Sequence, residues 1–325
     1  MFHTSVYAEA VRESLEEAVF PDRPERLYDP IRYILSLSGK RIRPQLVRMG
    51  AEMFDAAAAG RAVPASLAVE YFHNFSLLHD DVMDRAPLRR GKPTVHRKWG
   101  DNVAILSGDA LLVKAYGELA KSPPEKVPDL LRVFNKTALE VCEGQQIDMD
   151  FESREAVGES EYIEMIRLKT SVLLGGALQM GAIVADADVR DQELLYGFGE
   201  NLGIAFQLQD DILDVYGDPR TFGKQVGGDI LANKKTILFV KLSERIAPED
   251  QAALASLMDA RAYGEAEKVE KMKALYAQYD IPARASAQKE RFTEAAYEKL
   301  RAIQVAEAKK RPLFALADAL LDRKR

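Results

Sequence analysis

The sequence predicts an all-α protein. Three observations carry that expectation: Ala, Leu, Glu and Lys dominate, apolar residues recur at helical spacing in nearly every segment between breakers, and no convincing strand pattern is present. Taken in order, the periodic segments predict helices near 4–19, 28–37, 42–58, 64–84, 100–119, 127–150, 160–185, 190–215, 230–245, 249–260, 264–278, 284–304 and 311–321. Turn-like stretches separate them, among them Ser122-Pro123-Pro124, Phe151 to Ser160, and Tyr216 to Gly228. The last holds Gly217, Gly223, Gly227 and Gly228 and reads as a mobile loop. No shift in composition marks a boundary, so residues 1–325 are expected to form a single domain.

Composition narrows the function. The 325 residues carry 45 Lys and Arg against 51 Asp and Glu, a net charge of −6, and such mild acidity offers no large positive field to nucleic-acid phosphates. Cys142 is the single cysteine and cannot close an internal disulfide, which suits reducing surroundings. The opening residues lack a basic region followed by an apolar run, and no segment approaches the roughly 18 apolar residues of a membrane span. A soluble, cytoplasmic, non-transmembrane protein is expected.

One repeat stands out, and it is chemical. Leu77-Leu78-His79-Asp80-Asp81-Val82-Met83-Asp84 returns as Gln207-Leu208-Gln209-Asp210-Asp211-Ile212-Leu213-Asp214. Residues four apart share a helix face, so Asp80 and Asp84 project together, as do Asp210 and Asp214. Like charges at that spacing destabilise a helix slightly, and here they are flanked by Leu, Ile, Val and Met. Oxygen donors without Cys or His suit Mg²⁺, which is held by one or two carboxylates plus substrate phosphates.

Aspartate-rich helices repel an anionic substrate unless cations stand nearby, and three basic clusters do. Gly39-Lys40-Arg41-Ile42-Arg43-Pro44 opens a helix, where backbone N–H groups also favour anions. Arg89-Arg90-Gly91-Lys92 follows the first aspartate motif. Lys224 lies in the glycine-rich loop after the second, and Asn233-Lys234-Lys235-Thr236 opens the next helix. His73 sits two turns before Asp80 with ~20° of drift and shares its face, ready for a neutral or cationic contact to phosphate. Gln207, one turn before Asp210, faces the second cluster.

An all-helical chain carrying Gly39-Lys40-x-x-Arg43-Pro44, Leu78-His79-Asp80-Asp81-x-x-Asp84, Arg89-Arg90-Gly91-x-Pro93-Thr94-x-His96, Gly144-Gln145-x-x-Asp148, Lys169-Thr170 and Gln207-x-x-Asp210-Asp211-x-x-Asp214 resembles the trans-isoprenyl diphosphate synthases, across about residues 30–240. The resemblance implies a bundle of about 11–13 helices around a central active-site cavity, and a homodimer. It also implies head-to-tail condensation of isopentenyl diphosphate with an allylic diphosphate (dimethylallyl, geranyl or farnesyl). Three Mg²⁺ ions would bind the allylic diphosphate between the two motifs, Asp80 and Asp84 holding two and Asp210 the third. Asp81, Asp211 and Asp214 would support them.

By the same resemblance, Arg89, Lys169 and Lys224 would contact the allylic diphosphate, and Lys40, Arg43, His73 and Arg90 the diphosphate of isopentenyl diphosphate. Thr170 and Gln207 would border the allylic cation, and Lys234 would belong to the substrate-binding set. Phe75, Phe72 and Val69 would line the tunnel that receives the growing chain. Phe75, with no insertion in the first motif, resembles the geranylgeranyl type, with a farnesyl-type product as the alternative. The Gly-rich loop and the basic end Arg323-Lys324-Arg325 are candidate lids. A class I terpene cyclase needs only one diphosphate site, and a non-catalytic subunit tends to lose an aspartate motif. Lys40, Arg43 and two whole motifs speak against both.

Overall fold

The computed structural model describes residues 4–218, 226–259 and 263–321. Its elements, in chain order, are α1 (Thr4–Glu16), α2 (Glu25–Ser36), α3 (Ile42–Phe54), α4 (Ala58–Arg61), α5 (Val63–Met83), β1 (Leu88–Arg89), β2 (Lys92–Pro93), α6 (Val95–Trp99), α7 (Asp101–Leu119), α8 (Val127–Ser153), α9 (Glu159–Ile166), a π-helical turn (Arg167–Ser171), α10 (Val172–Val184), α11 (Val189–Tyr216), α12 (Gly228–Leu231), α13 (Ile237–Ser243), α14 (Pro248–Met258), α15 (Glu265–Gln278), α16 (Ile281–Ala302) and α17 (Glu307–Leu321). The all-α expectation holds, because the helical periodicity of the chain is satisfied almost everywhere.

The departures have local causes. The expected helix at 42–58 stops at Phe54, where the Asp55 carboxylate accepts the Ala57 N–H (2.9 Å) and diverts the backbone. The expected helix at 160–185 is broken by the π-helical turn, and that at 230–245 by an unwound stretch at Ala232–Thr236. Contrary to the strand-free expectation, β1 and β2 form a two-stranded antiparallel hairpin. Its turn is Arg90-Gly91, with both φ angles positive (52° and 73°), the geometry that suits the right-handed twist of a two-residue hairpin.

The chain divides into two compact units. The first comprises Met1–Ala138, Gly176–Tyr196 and Ile303–Leu313. Its centre is α5, which packs along α7 and α3. Every residue from Ala65 to Phe72 is buried, so the helix is enclosed on all sides there. Ile31, Ile34, Leu46, Leu111, Leu119, Leu130, Phe134 and Leu178 complete this core. From His73 onward α5 becomes only half-buried along one side, and that side carries the first aspartate motif.

The second unit comprises Leu139–Gly175, Gly197–Ala302 and Phe314–Arg325. Its core gathers Phe151, Tyr162, Met165, Ile204, Leu208, Ile237, Leu238, Val240, Met272 and Tyr276. Leu208 and Val215 anchor the α11 segment that bears the second motif.

A close helix crossing in the first unit sets a packing test. A Cβ on Gly50 of α3 would lie 2.6 Å from the Leu178 carbonyl oxygen, and one on Gly181 would run into that of Val47. In an isolated helix Gly50→Ala gains about 1 kcal/mol of propensity. Here it should destabilise by about 1–3 kcal/mol, because a helical carbonyl cannot rotate away as a side chain would. Denaturant unfolding of Gly50→Ala against the parent chain checks the sign.

Candidate active site

Helices α3 and α5 and the hairpin after α5 bring three of the expected substrate residues, Arg43, His73 and Arg90, together in the first unit. Arg41 adopts a left-handed conformation (φ 47°) at the head of α3, and its guanidinium donates to the Leu37 carbonyl (2.8 Å) and to buried Glu70 of α5. Gln45 Nε2 donates to the Lys40 carbonyl (2.5 Å) and fixes the same turn, leaving the Lys40 side chain exposed. Across from it, Arg90 donates to the Leu37 carbonyl (3.0 Å). Its guanidinium carbon lies only 2.6 Å from where a Cβ on Gly39 would stand, so a larger residue there would make the Arg90 side chain shift.

Arg43 closes the cluster. Its Nη1 lies 3.2 Å from His73 Nε2, and since a guanidinium only donates, His73 accepts through Nε2 and carries its proton on Nδ1. Burial pushes the Arg43 guanidinium down to about 10, with Arg90 adding to the effect and Glu70 opposing it. Burial, then the fields of Arg43, Arg90, Arg89 and Arg41, hold the His73 imidazole well below its ordinary value. Both effects favour a neutral His73. Arg43 Nε, buried, has no hydrogen-bond partner. Glu70 is the carboxylate inside this cluster of cations, so the cluster retains positive charge suited to an anion.

The first aspartate motif closes α5. Asp80 is half-buried, Asp84 is exposed, and between them Asp81 is 2% exposed. Arg89 of β1 donates through Nε to both Asp81 oxygens (2.9 and 2.8 Å) and reaches Asp80 Oδ2 at 3.4 Å. Burial raises the Asp81 carboxyl, against the pull of Arg89. The hairpin thus supplies a counter-charge that the apolar flanks of the motif did not reveal, and it splits the motif into a tethered middle carboxylate and an outer pair.

The second motif, in the second unit, likewise buries its middle carboxylate. Asp211 is 4% exposed and accepts hydrogen bonds from the buried Tyr162 hydroxyl, the Ile237 N–H (3.1 Å) and Gln207 Nε2 (3.2 Å). Burial raises its carboxyl to about 7, while the Tyr162 hydrogen bond pulls it back. Gln207 therefore reaches to Asp211, one turn along its own helix. Asp210 is half-buried. Asp214 departs from its counterpart Asp84: it is buried, its side chain accepts the Asp229 N–H (2.9 Å), and its carbonyl accepts the Gly227 N–H (2.6 Å).

Lys169 and Thr170 lie in the π-helical turn, a distortion that re-aims side chains and is frequent at functional sites. Lys169 pairs with Asp148 of α8. A Cβ on Gly144 would collide with the Lys169 N–H, so the glycine and the aspartate of the Gly144-Gln145-x-x-Asp148 pattern together seat this turn. Lys234 is exposed, 3.8 Å from Asp229. Gly223 and Lys224 of the glycine-rich loop, and Arg323-Lys324-Arg325, lie outside the described residues. In the length-ruler set, Val69 and Phe72 are fully buried, whereas Phe75 is half-buried and touches the Phe72 ring (centroids 5.6 Å).

Sequence reasoning passed over Glu70, Asn74, Tyr162 and Asp229. The first two had a readable signal: a carboxylate and an amide one turn apart inside the apolar run of α5 must find partners, and Asn74 Nδ2 donates to Glu70 Oε1 (2.8 Å). Among the described residues no group of three or more His, Cys, Asp or Glu converges into a metal cage. The outer carboxylates, Asp80 and Asp84 on α5 and Asp210 on α11, fit ions whose remaining ligands are waters and phosphate oxygens, as Mg²⁺ prefers.

Two helical aspartate motifs and a cluster of cations are the features that the chain shares with a prenyl-transferring class of enzyme, and the comparisons with known proteins show that class. The polyprenyl synthetase family model matches residues 24–278. A geranylgeranyl diphosphate synthase of Methanosarcina mazei is 42% identical over 237 residues, 72% of this chain and 73% of that protein. A short chain isoprenyl diphosphate synthase of Methanothermobacter thermautotrophicus is 35% identical over 98% of this chain and 96% of its own. A solved structure of a geranylgeranyl pyrophosphate synthase superposes with a TM-score of 0.93 at 45% identity, covering 100% of both chains. The chain belongs to the polyprenyl synthetase family and is a prenyltransferase. No described helix is long and apolar enough to cross a membrane.

The His73 environment has a pH consequence. Its folded pKa lies below that of the unfolded chain, so as pH falls through about 6.5 the unfolded state takes up the proton first and stability drops. The loss should approach ~1.4 kcal/mol per pH unit for this one proton. Urea unfolding at pH 7.5 and 5.5 should show a smaller decline in His73→Gln than in the parent chain.

Proposed function

We propose that the enzyme condenses isopentenyl diphosphate with an allylic diphosphate in a magnesium-dependent reaction whose main product is geranylgeranyl diphosphate. The observation that carries this reading is the cluster of Arg43, Arg90 and neutral His73, beside the turn that bears Lys40, within the same unit as a whole aspartate motif. One diphosphate must be ionised and another held intact, and a chain with a single anion site could serve only the first. The names of the similar geranylgeranyl synthases support the twenty-carbon product.

In this reading Asp80, Asp84 and Asp210 hold three Mg²⁺ ions, and Asp81, Asp211 and Asp214 support their helices and loop. Bound Mg²⁺ would neutralise the charge that builds on the leaving diphosphate. Arg89 and Lys169 add fixed positive charge at the allylic diphosphate, in a place prepared before the C–O bond breaks. Thr170 and Gln207 border the resulting cation, with Lys224 and Lys234 as further diphosphate contacts. Lys40, Arg43, His73 and Arg90 grip the second diphosphate and so aim the isopentenyl double bond at the cation. No side-chain base stands out for the final proton, and the released diphosphate is the candidate acceptor. Phe75 forms the floor against which the growing tail stops, with Phe72 and Val69 beneath it. A homodimer completes the reading, supported by exposed Ile105, Leu106 and Val113 on α7.

Two measurements test it. Asp80→Asn and Asp210→Asn should each lower turnover by several orders of magnitude with unchanged helicity, and excess chelator should do the same. Full turnover under either condition would sink the metal-dependent mechanism. Arg43→Ala and Lys40→Ala should raise KM for isopentenyl diphosphate at least tenfold, about 1.5–3 kcal/mol for a lost charge-assisted hydrogen bond, and spare the allylic substrate. Equal damage to both substrates would mean that the two anion sites are confused.

A further inference from the structure

The residue just before the first aspartate motif has a role that the reaction chemistry leaves unused. His79 and Phe75 stand one turn apart on α5, their ring centroids 4.7 Å apart with planes at 64°, so the imidazole presses edge-on against the phenyl ring. On its other side the imidazole is held by α7. His79 Nε2 lies 3.0 Å from the Ile105 carbonyl oxygen, and because a carbonyl only accepts, the imidazole donates through Nε2. Asp109 Oδ1, one turn further along α7, is 3.6 Å from the same nitrogen.

The room for this arrangement comes from one glycine. A Cβ on Gly108 would stand 2.5 Å from His79 Nε2 and 2.6 Å from its Cδ2, so any other residue there would evict the ring. The imidazole therefore sits in a notch cut for it, hydrogen-bonded to backbone on one side and abutting Phe75 on the other. Phe75 in turn leans on Phe72 (5.6 Å), and Phe72 on Phe134 (5.5 Å), both buried. The half-buried phenyl ring is thus braced from below by a packed aromatic and from the side by His79.

We propose that His79, seated in the Gly108 notch, is a specificity-determining positioning residue that locks the Phe75 ring and thereby sets product chain length. The inference rests on the reading of Phe75 as the tunnel floor. A floor made of one half-buried phenyl is only as firm as its rotamer, and the clamp converts a mobile ring into a fixed stop. His79 acts through Phe75 and touches neither diphosphate nor cation.

The test compares product chain lengths, after dephosphorylation and reversed-phase separation, for the parent enzyme, His79→Ala, His79→Phe, Gly108→Ala and Phe75→Ala, each with a thermal melt and with kcat and KM for isopentenyl diphosphate. His79→Ala and Gly108→Ala should each raise severalfold the fraction of product one isoprene unit longer, with KM for isopentenyl diphosphate unchanged. His79→Phe, which restores an aromatic edge against Phe75, should return the parent distribution. If Phe75→Ala lengthens the product while His79→Ala and Gly108→Ala only lower the melting temperature, the clamp is overturned and the floor stands. If Phe75→Ala leaves the product unchanged, the floor falls, and a lengthening in His79→Ala would then overturn action through Phe75 as well.

Discussion

A charge taken out of water must be met by a partner, and much of this molecule is organised around meeting that demand at two places. In each aspartate motif the middle carboxylate is buried: Asp81 is held by Arg89, Asp211 by Tyr162, Gln207 and the Ile237 N–H. Truncating Arg89 would strand the buried Asp81 carboxylate, at a cost of about 3–5 kcal/mol. The tethers orient the helix ends that carry Asp80 and Asp210. Because Arg89 belongs to the hairpin and Ile237 to the start of α13, the carboxylates also pin those elements in place.

The two motifs are alike in sequence and unlike in use. Asp84 is exposed at the end of α5, whereas its counterpart Asp214 is buried and directs its acceptors to the Gly227 and Asp229 N–H groups. The second motif therefore presents one outer carboxylate where the first presents two. In the proposed reading, that asymmetry would leave Asp80 and Asp84 for metal at the first motif and Asp210 at the second. It arises from the segment that succeeds each motif: a hairpin carrying Arg89 in one case, and in the other a turn whose amides need an acceptor.

The cationic cluster follows the opposite electrostatic rule. Arg41, Arg43 and Arg90 are drawn together by backbone carbonyls of the Leu35–Leu37 stretch, by Glu70 and by His73, and Glu70 alone cannot balance them. Mutual repulsion and desolvation make such a cluster unfavourable on its own, and in the proposed reading a bound diphosphate would relieve it. His73 stays neutral there because adding a proton would add a further positive charge to the group.

Local spacing made the helices legible, along with the repeat of Asp80-Asp81-x-x-Asp84 in Asp210-Asp211-x-x-Asp214 and the basic turn from Lys40 to Arg43, since each is a property of residues within a turn or two of one another. The Arg90-Gly91 hairpin escaped because two residues per strand are too few to show alternation. The π-helical turn at Lys169 escaped because the residues packed against it, Gly144 and Asp148, lie on α8 and not in its own sequence. Which aspartate of each motif is buried, which nitrogen of His73 accepts, and which ring braces Phe75 were decided only in three dimensions. Burial, hydrogen-bond direction and ring contact depend on partners such as Arg89, Arg43 and Gly108, which lie on other elements and reach the motif only when the chain has folded.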